Sequence, residues 1–373
     1  MASIHIVDHA PQRTEEVARF NGRLRARGMR PQFPAGPVPD WLPKVPGRTI
    51  FREYHLAVDP GGAVRGGYVL KHQEFRIGGE TLSIGNYHNP VSEGIVDKAH
   101  APVGLKMLLD AHRRQPLQYC LGMGSAARPL PRMLAGMRWS LWPVPFFFRV
   151  VRPFPFLRKT AFLRQTAAKR ALLDALAFSG LGWLAIQAVQ TARRRRFRAA
   201  AGLRVECVDE FGDWADRVWD AARHDYGMIA VRTGEILRIL YPADDRRFIR
   251  LKISEHGSPI GWCVLLATRF RDHKQFGALK VGSLVDGLAG SADAPKVVAA
   301  ATAELVRRRV DLVVSNQSHR DWCAALDASG YLRGPSNFLF AASRELASRL
   351  KAAEVAPDAI YLNRGDGDGP INL

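Results

Sequence analysis

Acidic side chains are in short supply in this sequence. Asp and Glu number 35 against 54 Lys and Arg, which gives the 373 residues a formal charge of +19. The imbalance is local: between residues 128 and 198 lie 15 basic residues and one acid, Asp174. Charge concentrated this way attracts an anionic partner over long range, whether phospholipid, nucleic acid or polyphosphate. A solvated basic face is the alternative. Cysteine is scarce too. Cys120, Cys207, Cys263 and Cys323 are widely spaced, with no CxxC pair and no Cys/His cluster. That argues against a disulfide framework or a zinc site and suits reduced thiols in the cytoplasm. The opening stretch MASIHIVDHAPQRTEEVARF lacks the long apolar run of a signal peptide, so export is not expected. Ser-His-Asp, P-loop and HExxH patterns are missing, and GMGSAA (122–127) is too short for a phosphate loop.

What is present suits a globular protein of two ordinary domains, with 47% hydrophobic residues. Residues 1–47 read as a polar, Pro-rich N-terminal extension with one amphipathic helix over 14–27. From residue 48 the pattern turns strand-like. REYHLAVD and VRGGYVLKHQEF flank the turn PGG as a hairpin, TLSIGNYHNP follows as a strand, and APVGLKMLLDAHRR has helical period. LQYCLGM is a buried strand and PLPRMLAGMRW a short helix. The same order returns in the second half. APVGLKMLLDAHRRQPLQYCLGM (101–123) and APKVVAAATAELVRRRVDLVVSN (294–316) have equal length at a constant offset of 193. A duplicated α/β domain is therefore expected, at 48–150 and 205–347, joined by a basic, apolar helical linker (151–204) and followed by a tail (348–373). The tail, NRGDGDGPINL at its end, reads as an exposed terminus with a weak metal signal from two Asp residues; no metal is expected overall.

The strand VGSLVDGLA with its following helix, and the strand-elbow-helix-Gly-aromatic run VVSNQSHRDWCAALDASGYL, resemble the GNAT acyl-CoA acyltransferase superfamily. The duplication resembles its tandem forms, related to the Fem-type peptidyltransferases. The resemblance implies two tandem mixed-sheet domains of that type, spanning roughly 50–150 and 205–345. In each, two neighbouring strands splay and offer backbone groups to the pantetheine arm of acyl-CoA, as to an added strand. The next helix offers its N-terminal N–H groups to the pyrophosphate. It further implies transfer of an acyl group, acetyl or longer, to an amine such as an amino sugar or cell-envelope precursor. Departures exist. The pyrophosphate loop of the family reads (Arg/Gln)-x-x-Gly-x-(Gly/Ala), whereas this chain has DGLAGSADAP with Gly287 and Gly290, and NPVSEGIVDKAHAP with Gly94 alone. Leu326 and Arg132 stand where many members carry an acidic Tyr. The first domain is accordingly expected to be degenerate.

On that resemblance, Val285, Gly287, Gly290, Ser315, Asn316 and Ser318 bind the donor. Asp286 is the candidate base and His319 the proton relay. Local alternatives stand beside these roles: Asp286 as a turn cap, His319 as a helix-start residue, Ser318 as an N-cap. His88 with Glu93, and Asp272 in RDHKQF, are candidates for contact with the acceptor, against a solvated loop and a charged turn. Two other functions remain open. The basic middle suits aminoacyl transfer from tRNA, whose binding would be steeply salt-dependent. It equally suits a non-catalytic protein peripheral to the inner membrane face. ALLDALAFSGLGWLAIQAV approaches the ~20 residues of a spanning helix, but Asp174 and Gln187 favour lying on the surface.

Overall fold

The computed structural model describes residues 4–30, 33–35, 42–193 and 202–367. The chain begins with β1 (His5–Asp8), α1 (Thr14–Ala26), the hairpin β2 (Phe51–Val58) and β3 (Val64–Ile77), then β4 (Glu80–Ser92). Next come α2 (Pro102–Arg114), β5 (Gln118–Leu121), α3 (Pro129–Gly136), β6 (Ser140–Pro143) and β7 (Phe146–Val150). Three helices follow: α4 (Pro153–Lys159), α5 (Ala167–Phe178) and α6 (Leu181–Arg193). The second half runs β8 (Leu203–Val208), α7 (Trp214–Ala222), β9 (Met228–Ala230), α8 (Gly234–Leu240), β10 (Ile249–Glu255), β11 (Ser258–Arg269) and β12 (Lys280–Ala289). It continues through α9 (Ala294–Arg307), β13 (Leu312–Asn316), α10 (Arg320–Ala328), β14 (Leu332–Gly334), β15 (Leu339–Ala342), α11 (Arg344–Ala352) and β16 (Ile360–Tyr361).

Two compact units form, each around a mixed sheet. The first is Met1–Trp142 with Leu339–Glu354; the second is Pro143–Phe338 with Val355–Leu373. Strand order in the first is β1-β2-β3-β4-β5-β15-β6, and in the second β8-β10-β11-β12-β13-β7-β14. Over seven positions the two orders run alike; the first sheet has two strands more, β9 paired to β3 and β16 paired to β9. The sixth strand of each is exchanged. β15, from the second half, pairs antiparallel with β5 through Ala341↔Cys120, while β7, from the first half, pairs with β13 through Val314↔Phe148.

Small residues set the helix-to-sheet distance alike in both. A Cβ on Gly66 would lie 2.9 Å from Met107 Sδ of α2, and one on Gly261 would lie 2.5 Å from Val297 of α9. The apolar stripes of α2 (Val103, Met107, Leu108, Ala111) and α9 (Val297, Val298, Ala301, Leu305) are buried as their 3.6-residue period requires.

Several expected boundaries move. Residues 1–47 are not an appendage in their described parts: β1 pairs with β2, and Val17, Phe20 and Leu24 of α1 are fully buried. The stretch expected as a linker is built into the second unit, where Phe156 and Leu157 join Val281, Leu312 and Val314 in one core cluster. Within the tail, Asn363, Gly365 and Asp366 are buried rather than exposed. The apolar pattern fixed these strands and helices locally, but not which of two like sheets would receive them. Residues 194–196 of the basic run lie outside the described residues.

Candidate functional site

Both units contain a point where two parallel strands part. In the second, β12 and β13 pair from Val281↔Leu312 to Leu284↔Ser315, after which β12 runs on to Ala289. The divergence coincides with a bulge: Val264 faces Asp286 and Leu265 faces Leu284, leaving Val285 extra. A bulge bends its strand and re-aims the residues beyond it. In the first unit, β4 and β5 pair only at Gly85↔Gln118 and Asn86↔Tyr119. There the bulge falls between Gly67↔Val91 and Val69↔His88, with Asn89 at φ +46°.

The second cleft is filled by the chain itself. Residues 360–366 enter where β12 and β13 separate. Ser318 N donates to Leu362 O at 3.1 Å, Leu362 N donates to Ser318 Oγ at 2.8 Å, and that hydroxyl donates to Ile360 O at 2.5 Å. Gln317 and Asn363 form an antiparallel bridge. On the β12 side the Tyr361 hydroxyl donates to Gly287 O. Asn363 Nδ2 donates to Asp286 Oδ1 at 2.7 Å. Backbone and hydroxyl groups that would meet a pantetheine arm are engaged by an inserted segment of the protein.

Asp286 is fixed from every side. Arg232 Nε donates to it at 3.0 Å, Tyr241 Oη at 2.8 Å and its neighbour Gly287 N at 2.8 Å. Arg232 reaches Asp366 through Nη2 at 2.8 Å, and all three charged groups are 1% exposed. Burial opposes the charge on Arg232, but the facing carboxylates outweigh it and hold the guanidinium protonated. Gly365 passes so close that a Cβ there would lie 2.5 Å from Tyr241 Oη and 2.8 Å from Asp286 Oδ2. The aspartate expected as a base is thus the hub of a buried ion-pair network.

His319 is the N-cap of α10, its Nδ1 accepting from Asp321 N at 3.4 Å. Its ring lies edge-on to Tyr226, 4.7 Å between centroids, and burial pushes its pKa below the ordinary histidine value. Asn316 Nδ2 donates to Pro145 O at 3.4 Å, and Ser315 is fully buried. Gly290 precedes α9, where the N–H of Ser291 donates to the Asp225 carboxylate at 2.7 Å. An anion of the chain's own thus meets the turn that leads into α9. Asp272 is exposed in the β11–β12 loop. Arg232, Tyr241, Asn363 and Asp225 escaped the sequence reading, and Asp366 figured there only as a weak metal signal, since each acquires its role only through partners distant in the chain.

The first cleft differs. In its unit β15 lies on the far side of β5, and beyond the last ladder pair the Cys120 thiol of β5 donates to Tyr87 O of β4 at 2.9 Å. Ser92 and Asp97 cap two short turns leading into α2, which begins at Pro102 without a side-chain cap and is preceded by Lys98 and His100. A Cβ on Gly104 would meet nothing nearer than 4.0 Å. His88, half-buried on β4 opposite Val69, stands at the strands' parting. Glu93 does not accompany it as a free acid: it is ion-paired with Arg23 at 2.9 Å and Arg65 at 3.1 Å. Burial alone would raise its pKa, but those guanidinium hydrogen bonds carry it below the usual value. Among the described residues, no three His, Cys, Asp or Glu side chains are grouped to hold a metal ion.

This architecture has known counterparts in three dimensions. An N-myristoyltransferase of Saccharomyces cerevisiae, solved with bound myristoyl-CoA, superposes with a TM-score of 0.54 at 12% identity, covering 92% of this chain and 82% of its own. A probable N-acyltransferase from Enterococcus faecalis V583 superposes at 0.52 and 8% identity, covering 94% and 74%. The glucosamine N-acetyltransferase region of a fungal multi-domain β-N-acetylglucosaminidase gives 0.52 at 12% identity, over 91% of this chain and 38% of that one. No protein-family model matches the sequence, and no curated protein is significantly similar to it. At such identities the likeness is one of fold: the chain has the mixed α/β fold of the GNAT-type acyltransferases.

Proposed function

We propose that the protein is an acyl-CoA-dependent N-acyltransferase whose donor occupies the cleft of the first unit, not the second. The observation carrying this reading is the insertion of residues 360–366 between β12 and β13, which engages the donor-binding groups there. Two features of the first unit support it: the parting of β4 and β5 at a bulge, and the uncapped start of α2 beside Lys98 and His100. Diverging parallel strands bind an extended arm by main-chain hydrogen bonds, and a helix start without a side-chain cap favours a diphosphate.

In the reaction, the acceptor amine attacks the thioester carbonyl, whose oxygen is held by N–H donors beside the parting of β4 and β5. His88 takes the proton that the amine sheds and returns it to the departing CoA thiolate as the C–S bond breaks. An amino sugar or envelope precursor is the acceptor class. The second unit then serves as scaffold.

Titration calorimetry with acetyl-CoA and myristoyl-CoA tests the assignment. Gly104→Asp places a carboxylate at the start of α2, where its Cβ would meet nothing nearer than 4.0 Å, and lowers donor affinity at least roughly tenfold. Ala292→Asp, at the corresponding exposed turn before α9, leaves it unchanged. Failure of both thioesters to bind refutes acyl-CoA dependence. Sensitivity to Ala292→Asp alone moves the donor to the second unit.

A further inference from the structure

The three helices between the sheets' exchanged strands carry a surface that the two clefts do not use. Their inner faces are ordinary core. Leu157, Leu173, Leu176 and Ile186 pack against the cluster built on β7, β12 and β13. Buried Gln190 fastens α6 to the sheet, accepting from Val150 N at 2.8 Å and donating to Val150 O at 3.0 Å. The outer faces are apolar as well, which a water-facing helix does not require. Phe178 is 68% exposed, Leu172 60%, Leu181 59%, Leu184 56% and Trp183 51%. Two of the exposed rings touch: Phe154 and Phe178 meet edge-on at 5.5 Å. Leu181, Trp183 and Leu184 stand on the first turn of α6, directly after Phe178 ends α5. Apolar exposure gathered on one helical corner marks a site of association.

Charge identifies the associate. The same helices and their connections carry Arg158, Lys159, Arg164, Lys169, Arg170 and Arg193, against Asp174 alone. That one acid is neutralised by Arg164 at 2.6 Å and Arg158 at 3.5 Å. Arg158 also lays its guanidinium 4.8 Å from the centre of the Phe178 ring, so a cation stands at the margin of the apolar patch with its stem along it. Exposed apolar side chains on helices whose cations outnumber their one acid complement an anionic bilayer surface. Spanning is a different matter. Among the described residues no single helix is long and apolar enough to cross a membrane, and α5 and α6 are bent by 80° at their junction.

We infer that the α5–α6 corner is a membrane-docking surface, sinking Phe178, Leu181, Trp183 and Leu184 into the interface of an anionic bilayer while Lys169, Arg170 and their neighbours hold lipid phosphates. The inference is independent of the acyl-transfer reading, because its readout is binding without catalysis. Flotation of the full chain is compared on phosphatidylcholine vesicles and on vesicles with about one third phosphatidylglycerol. The chain floats with the anionic vesicles, and salt weakens the association. Phe178→Ser with Trp183→Ser lowers partitioning at least roughly tenfold, as does Lys169→Glu with Arg170→Glu, each with an unchanged melting temperature. As a check free of folding risk, bromine-labelled acyl chains quench tryptophan emission of the native chain. Trp183→Phe floats normally but loses that quenching. The inference is overturned if the chain does not float with anionic vesicles, or if both double variants float undiminished. It is likewise overturned if the serine variants abolish only self-association or RNA binding.

Discussion

Asp286 accepts from a guanidinium, a phenol, an amide side chain and a backbone N–H at once, leaving no lone pair for an incoming amine. Its measurable role is therefore stability. Asp286→Asn leaves Arg232 with one carboxylate instead of two in a site closed to water, and we expect a loss of about 3–5 kcal/mol, read from urea unfolding. His88→Ala should act on turnover, with kcat falling about 100-fold or more in protein that the same urea titration shows to be folded. If Asp286→Asn instead removed turnover from a protein of unaltered stability, the network would have to be catalytic. The sequence displayed Asp286 at the end of a splayed strand, and the structure keeps it there. Hidden was the company it keeps, because Arg232 and Asp366 are separated by 134 residues and no local pattern joins them.

At the scale of the element, α10 shows how one residue can be legible in place and obscure in role. The run from the strand into the helix was visible, and His319 begins the helix as an N-cap. Because burial lowers its pKa below 6.5, the folded protein resists a proton that the unfolded chain accepts. Its contribution to stability is thus present above that unfolded value and is lost as pH falls below it, towards the lower folded pKa. His319→Asn keeps a capping oxygen without a titrating ring. The variant should lose less stability than the parent between pH 7.5 and about 5.5, as followed by urea unfolding at each pH. His55, also buried with a lowered pKa, contributes in the same sense and remains in both proteins. The tail was the less readable element. NRGDGDG has the composition of a solvent-exposed terminus, yet Asn363, Gly365 and Asp366 close a capping box deep in the second unit. Polar residues go inside when every polar group finds a partner, and composition carries no record of partners.

For the molecule as a whole, the two sheets share an order over seven strands, but the exchange of β7 and β15 between them left no trace in sequence. FFFRV and FLFAA suit either sheet equally. Cut at the apparent midpoint, each half lacks its own sixth strand. Residues 1–142 alone should therefore show no cooperative thermal transition, and addition of a peptide covering 339–354 should restore one; a sharp melt without the peptide would contradict the exchange. The same arrangement bears on biosynthesis. Cys120 of β5 awaits Ala341, so the earlier sheet stays open on the ribosome until residues 339–342 have emerged. Pairings so remote in the chain close slowly, and a bare strand edge in the interval invites misassociation. This fold consequently predisposes the nascent chain to depend on a chaperone that shields β5 during translation.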